Sequence, residues 1–366
     1  MTTPFAPETT RAWVDVDLAA LASNARTIAK VSGRPLLPML KANGYGLGAI
    51  EVARTLETLD PWGFGVATVE EGAWLRAAGI TRPIVVVSPL LAPDLERYLV
   101  HDLRPTIGDS TALRAWTSRS SHAFHVEVDT GMGRCGVRWD DAAVLDAMRK
   151  LLAASPGWEG VYTHFHSADS DPASATLQWE RLRDVVAALP RRPELLHAAN
   201  SAGALCGRAY AGDLIRPGIF LYGGRAGATA PLPVAVLRAR VVAARRVAAG
   251  DPVSYGATWH AARETTVATL ALGYGDGFLR AAREQCPALP PRLVELAGAL
   301  VPVVGRVTMD MTMADAGDAA VVPGDVATVF GGRVSLDQQA AAAGTIAYEM
   351  LTALGARVPR RYGGEA

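Results

Sequence analysis

Eight short runs of β-branched, aromatic and aliphatic residues recur through the first two thirds of the sequence, at 36–41, 63–66, 84–88, 103–107, 124–129, 160–165, 195–199 and 213–216. Between them lie longer stretches with helical spacing, such as 70–78, 142–153 and 173–188. Strands alternating with helices pair in parallel, because the helix is the crossover that returns the chain to the same edge of the sheet. Eight such units are the number that closes a (β/α)8, TIM-like barrel. Ahead of the first run, Asp17 reads as an N-cap, and Leu18, Leu21, Ala22, Ala25, Ile28 and Ala29 follow at helical spacing. Near Pro231-Leu232-Pro233 the rhythm changes to valine-rich runs at 234–247, 265–272, 301–307 and 325–330, joined by Gly and Pro turns. The expectation is an α/β barrel over residues 1–230 followed by a mostly β domain over 231–366, with the alanines at 340–343 in a helix.

A chain of 366 residues with 50% hydrophobic and 20% charged residues is ample for two folded units. Lysine plus arginine balances aspartate plus glutamate at 36 each, so no net field draws nucleic acid or an acidic membrane. Cys135, Cys206 and Cys286 are scattered, with neither metal-ligand spacing nor a disulfide framework, which fits a reducing compartment. No segment is apolar for long enough to span a bilayer, and residues 1–10 lack the basic start and apolar middle of a leader. The reading is a soluble, cytoplasmic protein with no metal site.

In such a barrel, ligands bind at the carboxyl ends of the strands, and phosphate commonly binds the loops after strands seven and eight. Lys41 ends the first strand, after the apolar run Leu36-Leu37-Pro38-Met39-Leu40, and a glycine-rich turn follows it. Burying an ammonium is costly and lowers its pKa, which frees the lone pair for carbonyl or imine chemistry. A lysine emerging into solvent at a strand end is the ordinary alternative. The sixth strand ends at Thr163-His164-Phe165, the seventh is followed by Asn200-Ser201-Ala202, and the eighth by Arg216-Pro217-Gly218-Ile219. Ser201 offers a hydroxyl and Gly218 close backbone approach, as a phosphate site requires. Taken singly, His164 could be a core histidine, Arg216 a surface residue and Asn200-Ser201 only a helix cap. Together, a nucleophilic lysine facing a phosphate site describes a pyridoxal phosphate (PLP) pocket.

At these residues the chain resembles the alanine racemase family. Lys41-Ala42-Asn43-Gly44-Tyr45-Gly46 is similar to the family's PLP-lysine motif, Val128-Asp129-Thr130-Gly131-Met132-Gly133-Arg134 to its glycine loop, and His197-Ala198-Ala199-Asn200-Ser201 to its phosphate-side turn. Further matches follow in order at 216–219, 253–258, 273–277, 305–310 and 344–349, so the resemblance spans essentially the whole chain. It implies a fold-type III PLP enzyme and a homodimer in which the β domain completes the partner subunit's active site. Racemisation removes a proton from one face of Cα and returns one to the other, so two acid/base groups must flank it. By resemblance these are Lys41 and the partner subunit's Tyr255. A tyrosine, with an unperturbed pKa near ~10, needs support to act as a base. His164 and Arg216 are the expected support.

The resemblance further places Arg216 at the pyridine nitrogen, where a permanently protonated partner leaves the ring a weaker electron sink and favours racemisation over transamination. Tyr45, Ser201, Gly218, Ile219 and Tyr348 are implied phosphate ligands. Arg134 and the backbone N–H of Met309 are implied to take the substrate carboxylate, with Tyr274 and Asp310 as pocket walls. The chain departs from the family at Glu127, seven residues before Arg134, where many members carry a carbamylated lysine. It departs also at Leu47 (usually histidine), Gly44 (alanine), Thr308 (cysteine) and Ala347 (asparagine). The expected function is interconversion of L- and D-alanine, supplying D-alanine to the cell wall. Alternatives are a PLP enzyme for another amino acid, a non-catalytic PLP-binding protein, or a structural relative with a decayed site.

Overall fold

The computed structural model describes residues 10–280 and 288–364, so Cys286 and most of the segment read for a leader lie outside the described residues. An α/β unit comes first. Its parallel strands Phe64–Val66, Ile84–Pro89, Arg104–Ile107, Phe124–Asp129, Trp158–Tyr162 and Leu195–His197 hydrogen-bond in chain order, with the short strand Val137–Arg138 attached to the fourth. Helices Ala49–Glu57, Val69–Ala77, Ser110–Thr117, Ala142–Ala153 and Pro172–Ala187 alternate with these strands. The early helix is Leu18–Ser32: the Asp17 carboxylate accepts from Ala20 N at 2.8 Å, and Gly33 ends it at φ 63°. Leu21, Ala25 and Ile28 on its inner face are fully buried.

Two expected strands, 36–41 and 213–216, are reduced to isolated bridges, Leu36 to Ile215 and Met39 to Gly65. Pro35, Pro38 and Pro217 have no N–H to give, so a continuous ladder cannot form there. Single hydrogen bonds still set these segments beside the sheet. Asp213 N donates to Leu196 O at 2.7 Å, Leu37 N to Ile215 O at 2.8 Å, and Leu40 N to Gly65 O at 2.7 Å. The run expected to extend to 165 stops at Tyr162, which leaves Thr163 and His164 beyond the strand end.

The second sheet is antiparallel over most of its eight strands, and Ala235–Val247 is its spine. That strand alternates buried and half-buried residues and is long enough, at 13 residues, to serve three neighbours. Its first half pairs with Ala12–Asp17 and Val326–Phe330, and its second half with Thr265–Leu270, so the sheet closes on itself. Ala12–Asp17, expected within the barrel of residues 1–230, therefore lies in the second sheet, and it also pairs in parallel with Arg360–Gly363. The alanine run falls within and just beyond the helix Leu336–Ala342, which begins at a Ser335/Gln338 capping box. One continuous apolar core joins the two units. Among the described residues, no helix is long and apolar enough to cross a membrane.

Candidate active site

Lys41 does not end a regular strand; it starts a left-handed turn. Ala42, Asn43, Gly44 and Tyr45 have φ of 53°, 54°, 63° and 52°. For L-residues this conformation costs about 1–2 kcal/mol each, so the turn must be held by its surroundings. Gly44 N donates to Leu40 O and Gly46 N to Ala42 O, both at 2.7 Å, while Ala49 N caps onto Asn43 Oδ1 at 3.0 Å. Ala42 N donates to the Glu71 carboxylate at 2.6 Å. Because the chain reverses so tightly, Lys41 stays on the rim while Tyr45 returns to the core. There it stacks on Tyr222 at 4.5 Å, and the Tyr222 hydroxyl donates to Met39 O at 2.8 Å.

Lys41, Tyr45, Arg134, His164, Ser201, Arg216, Gly218, Ile219 and Tyr348 line one cleft of about 110 Å³ at the carboxyl ends of the strands. Nine of the residues expected at the site are thus brought together. Asn200 is a helix cap, accepting from Gly203 N at 3.0 Å, which leaves the Ser201 hydroxyl to accept from Gly218 N at 2.8 Å. A Cβ on Gly218 would stand 2.2 Å from the Tyr45 hydroxyl, so only glycine lets that hydroxyl in. Burial lowers the Lys41 pKa, Arg134 and Arg216 add to the effect, and Glu71 opposes it.

Arg216 is no surface residue: it is 4% exposed. Its guanidinium donates to Thr163 O at 2.7 Å and Ala198 O at 3.1 Å, and it meets His197 Nδ1 at 2.6 Å. An arginine has only donors, so Nδ1 of His197 must accept. Burial, reinforced by Arg216 and His125, holds His197 well below the usual histidine pKa and therefore neutral, so its proton sits on Nε2. Nε2 then donates to His125 Nδ1 at 2.9 Å, and His125 Nε2 donates to Glu159 at 3.0 Å. Glu159 is paired in turn with Arg104 at 2.7 Å. This buried relay locks the guanidinium in place. Burial brings the Arg216 pKa down to about 10, so it stays charged at neutral pH, and burial beside Arg216 and Arg134 brings His164 to about 3.

Arg134 closes the glycine loop, whose N–H groups at Gly131 and Gly133 donate to Asp129 at 2.9 and 3.1 Å. Its guanidinium is half exposed and 4.0 Å from Glu127, which is buried. Glu127 Oε2 has no hydrogen-bond partner among the described residues. Burial raises the Glu127 pKa, outweighing the opposing pull of Arg134 and Arg216.

Tyr255, Tyr274, Met309 and Asp310 do not line the cleft of their own chain. Tyr255 projects from a turn with Ser254 at φ 70° and Ala257 at φ 48° and is 69% exposed. Ser254 Oγ donates to Arg306 O at 2.7 Å, Gly275 N donates to Met309 O at 2.8 Å, and Arg357 pairs with Asp310 at 2.8 Å. Sequence reasoning missed Met39, Val87 and Tyr162 as cleft residues, whereas Asn200, placed on the rim after the seventh strand, does line it. Tyr162 carries Arg216 on its ring face at 4.8 Å, and alternation along the strand ending there could have flagged it.

The donor set fits PLP. Hydroxyls of Tyr45, Ser201 and Tyr348 beside Gly218 can hold a phosphate, the Arg216 N–H groups can face a ring nitrogen, and the Lys41 amine can meet a carbonyl.

Residues 16–226 match the family described as "Alanine racemase, N-terminal domain", and residues 234–362 match "Alanine racemase, C-terminal domain". The chain is 39% identical over 369 residues to the alanine racemase of Rhizobium meliloti (strain 1021), covering 96% of each protein. To that of Deinococcus radiodurans it is 38% identical over 361 residues, covering 96% of this chain and 99% of the relative. The crystal structure of biosynthetic alanine racemase from Pseudomonas aeruginosa superposes with a TM-score of 0.87 at 32% identity, covering 97% of this chain and 100% of that one. Alanine racemase from E. faecalis superposes equally well, with a TM-score of 0.87 at 30% identity over 97% of this chain and 98% of that one. Together with the cleft, these matches define an amino-acid racemase. The chain belongs to the alanine racemase family.

Proposed function

We propose that the protein is a PLP-dependent racemase that interconverts L- and D-alanine as a homodimer. The observation that carries the reading is Lys41, set by a strained turn into a cleft that joins phosphate-binding hydroxyls to a buried, charged Arg216. When bound, PLP supplies an electrophilic carbonyl and a ring that withdraws electrons from the substrate Cα. The residues do the rest. Lys41 Nζ, kept basic but readily deprotonated by burial, exchanges a proton on one face of Cα. Tyr255 Oη of the partner subunit serves the other face, which accounts for its exposure here. Arg216 stays protonated and so donates a hydrogen bond to the ring nitrogen without passing it a proton. Arg134, backed by Glu127, takes the substrate carboxylate with the N–H of Met309, while Tyr274 and Asp310 wall the pocket from the partner's side.

We read the first unit as the (β/α)8 barrel, with 36–40 and 213–216 as its two proline-interrupted strands, supported by the hydrogen bonds that set them between Leu195–His197 and Phe64–Val66. Residues 231–366 then form the β domain that serves the partner, with Ala12–Asp17 lent to its sheet. A cytoplasmic location and supply of D-alanine to the cell wall go with this function. Glu127, with its unpartnered oxygen behind Arg134, favours a second reading in which the preferred amino acid is not alanine. Incubation with single L-amino acids in deuterated water, followed by Cα exchange and chirality, decides between them. Exchange with another amino acid and none with alanine would replace the first reading.

A further inference from the structure

We propose that Glu71 is a positioning residue for Lys41, its carboxylate tying the left-handed turn after the lysine to the end of the neighbouring strand. Glu71 is the third residue of the helix Val69–Ala77, whose N-cap is Thr68. A glutamate there ordinarily reaches back to the N-cap's own N–H. Glu71 does not. One oxygen accepts from Ala42 N at 2.6 Å and the other from Ala67 N at 2.7 Å, just past the strand Phe64–Val66. The side chain therefore stitches together two neighbouring segments of the α/β unit at the rim where Lys41 stands.

Both oxygens are spent on backbone donors, so only a carboxylate fits: an amide would set an NH2 group against one of those N–H groups. Ala42 is the first of five consecutive residues held at positive φ, and its N–H is the contact that fixes how the turn leaves Lys41. The charged groups acting on Lys41 are Arg134 and Arg216, which favour its neutral form, and Glu71, which opposes them. His164, the other titratable group coupled to the lysine, is kept neutral. Glu71 is thus both the clamp on the turn and the counter-charge that sets how readily the amine loses its proton.

The inference rests on the racemase reading, but its first measurement does not need activity. The chain has three lysines, Lys30, Lys41 and Lys150, so trace acetylation of full-length protein stripped of cofactor, read by mass spectrometry against pH, titrates Lys41 with two internal references. In Glu71→Gln the Lys41 midpoint should fall by about half a unit or more while Lys30 and Lys150 stay fixed. In the loaded enzyme kcat should fall about tenfold or more with KM changed far less, and Glu71→Asp should recover part of both effects. If Glu71→Gln folds poorly, adding Ala42→Gly relieves the strained residue and leaves the Lys41 titration readable. An unmoved Lys41 midpoint, or a loss of activity matched by loss of folded protein, overturns the proposal. A wild-type protein without Cα exchange overturns the racemase reading while leaving the titration standing.

Discussion

Nη1 of Arg216 stands 2.6 Å from Nδ1 of His197, and this contact sets the direction of every proton in the relay behind it. His197→Phe keeps the ring volume but leaves a guanidinium N–H and His125 Nδ1 buried without partners. Each such loss costs about 1–3 kcal/mol, so the variant should lose about 2–6 kcal/mol in denaturant unfolding and bind PLP more weakly. Stability within about 0.5 kcal/mol of wild type would show that the relay contributes nothing measurable to the fold.

Acid should weaken the fold well before carboxylates titrate. His125, His164 and His197 are all held below the ordinary histidine pKa, chiefly by burial. As pH falls through about 6.5, the unfolded chain takes up these protons and the native state does not, so stability drops by up to about 1.4 kcal/mol per pH unit for each histidine. His164, near 3, continues this down to about pH 3. Urea unfolding at a series of pH values between about 7 and 4 should show the slope, and His164→Phe should remove about a third of it.

Glu127 works in the opposite sense. Its pKa is raised, so the native state resists losing a proton that the unfolded chain gives up near about 4.3. Glu127→Gln should therefore melt higher than wild type at neutral pH, with the gain vanishing below about pH 4. The same variant loses the charge behind Arg134, and KM for alanine should rise about three- to thirtyfold with a smaller change in kcat. A fall in kcat alone would place Arg134 elsewhere than at the carboxylate.

Gly218→Ala sets a methyl group 2.2 Å from the Tyr45 hydroxyl. Tyr45 is pinned by its stacking on Tyr222 and cannot simply swing away. PLP affinity, measured by absorbance titration of stripped protein, should weaken about tenfold or more. Unchanged affinity would mean that the phosphate lies away from this corner.

If Tyr255 serves its partner's cleft, two inactive variants should rescue each other. Lys41→Ala and Tyr255→Phe, unfolded and refolded together, should regain about a quarter of wild-type activity, because random pairing rebuilds one intact site in half of the dimers. No recovery in a mixture shown to contain heterodimers would confine each site to one chain.

Much of the α/β unit was legible because its buried parallel strands carry short β-branched and aromatic runs, unbroken at Ile84-Val85-Val86-Val87 and alternating with polar residues in Phe124–Asp129. The prolines at 35, 38 and 217 were equally visible, but apolar content outweighed them in the reading, so two ladders were expected where bridges exist. Lys41 and Arg216 could be picked out because costly residues in apolar runs need a reason. His197 and His125 could not be assigned roles, since their partners lie far away in sequence, 72 residues from one histidine to the other. The left-handed turn was also hidden, as Ala42 and Tyr45 are poor advertisements for positive φ. The strand Ala12–Asp17 was missed because it sits beside a strong helix signal and its partners begin more than 200 residues later.

That strand has a consequence for how the chain acquires its shape. Val14 lies opposite Arg360 on one side and Leu237 on the other, so this segment waits for residues made more than 200 positions later. The α/β unit can condense around its local contacts meanwhile, but the second sheet stays open along this seam. Trp13 marks the closure, its ring met by Arg240 at 5.3 Å and Arg361 at 4.2 Å from the two flanking strands. Indole fluorescence in a chain keeping only this tryptophan would report the seam closing, a late and slow phase of refolding that joins segments more than 200 residues apart.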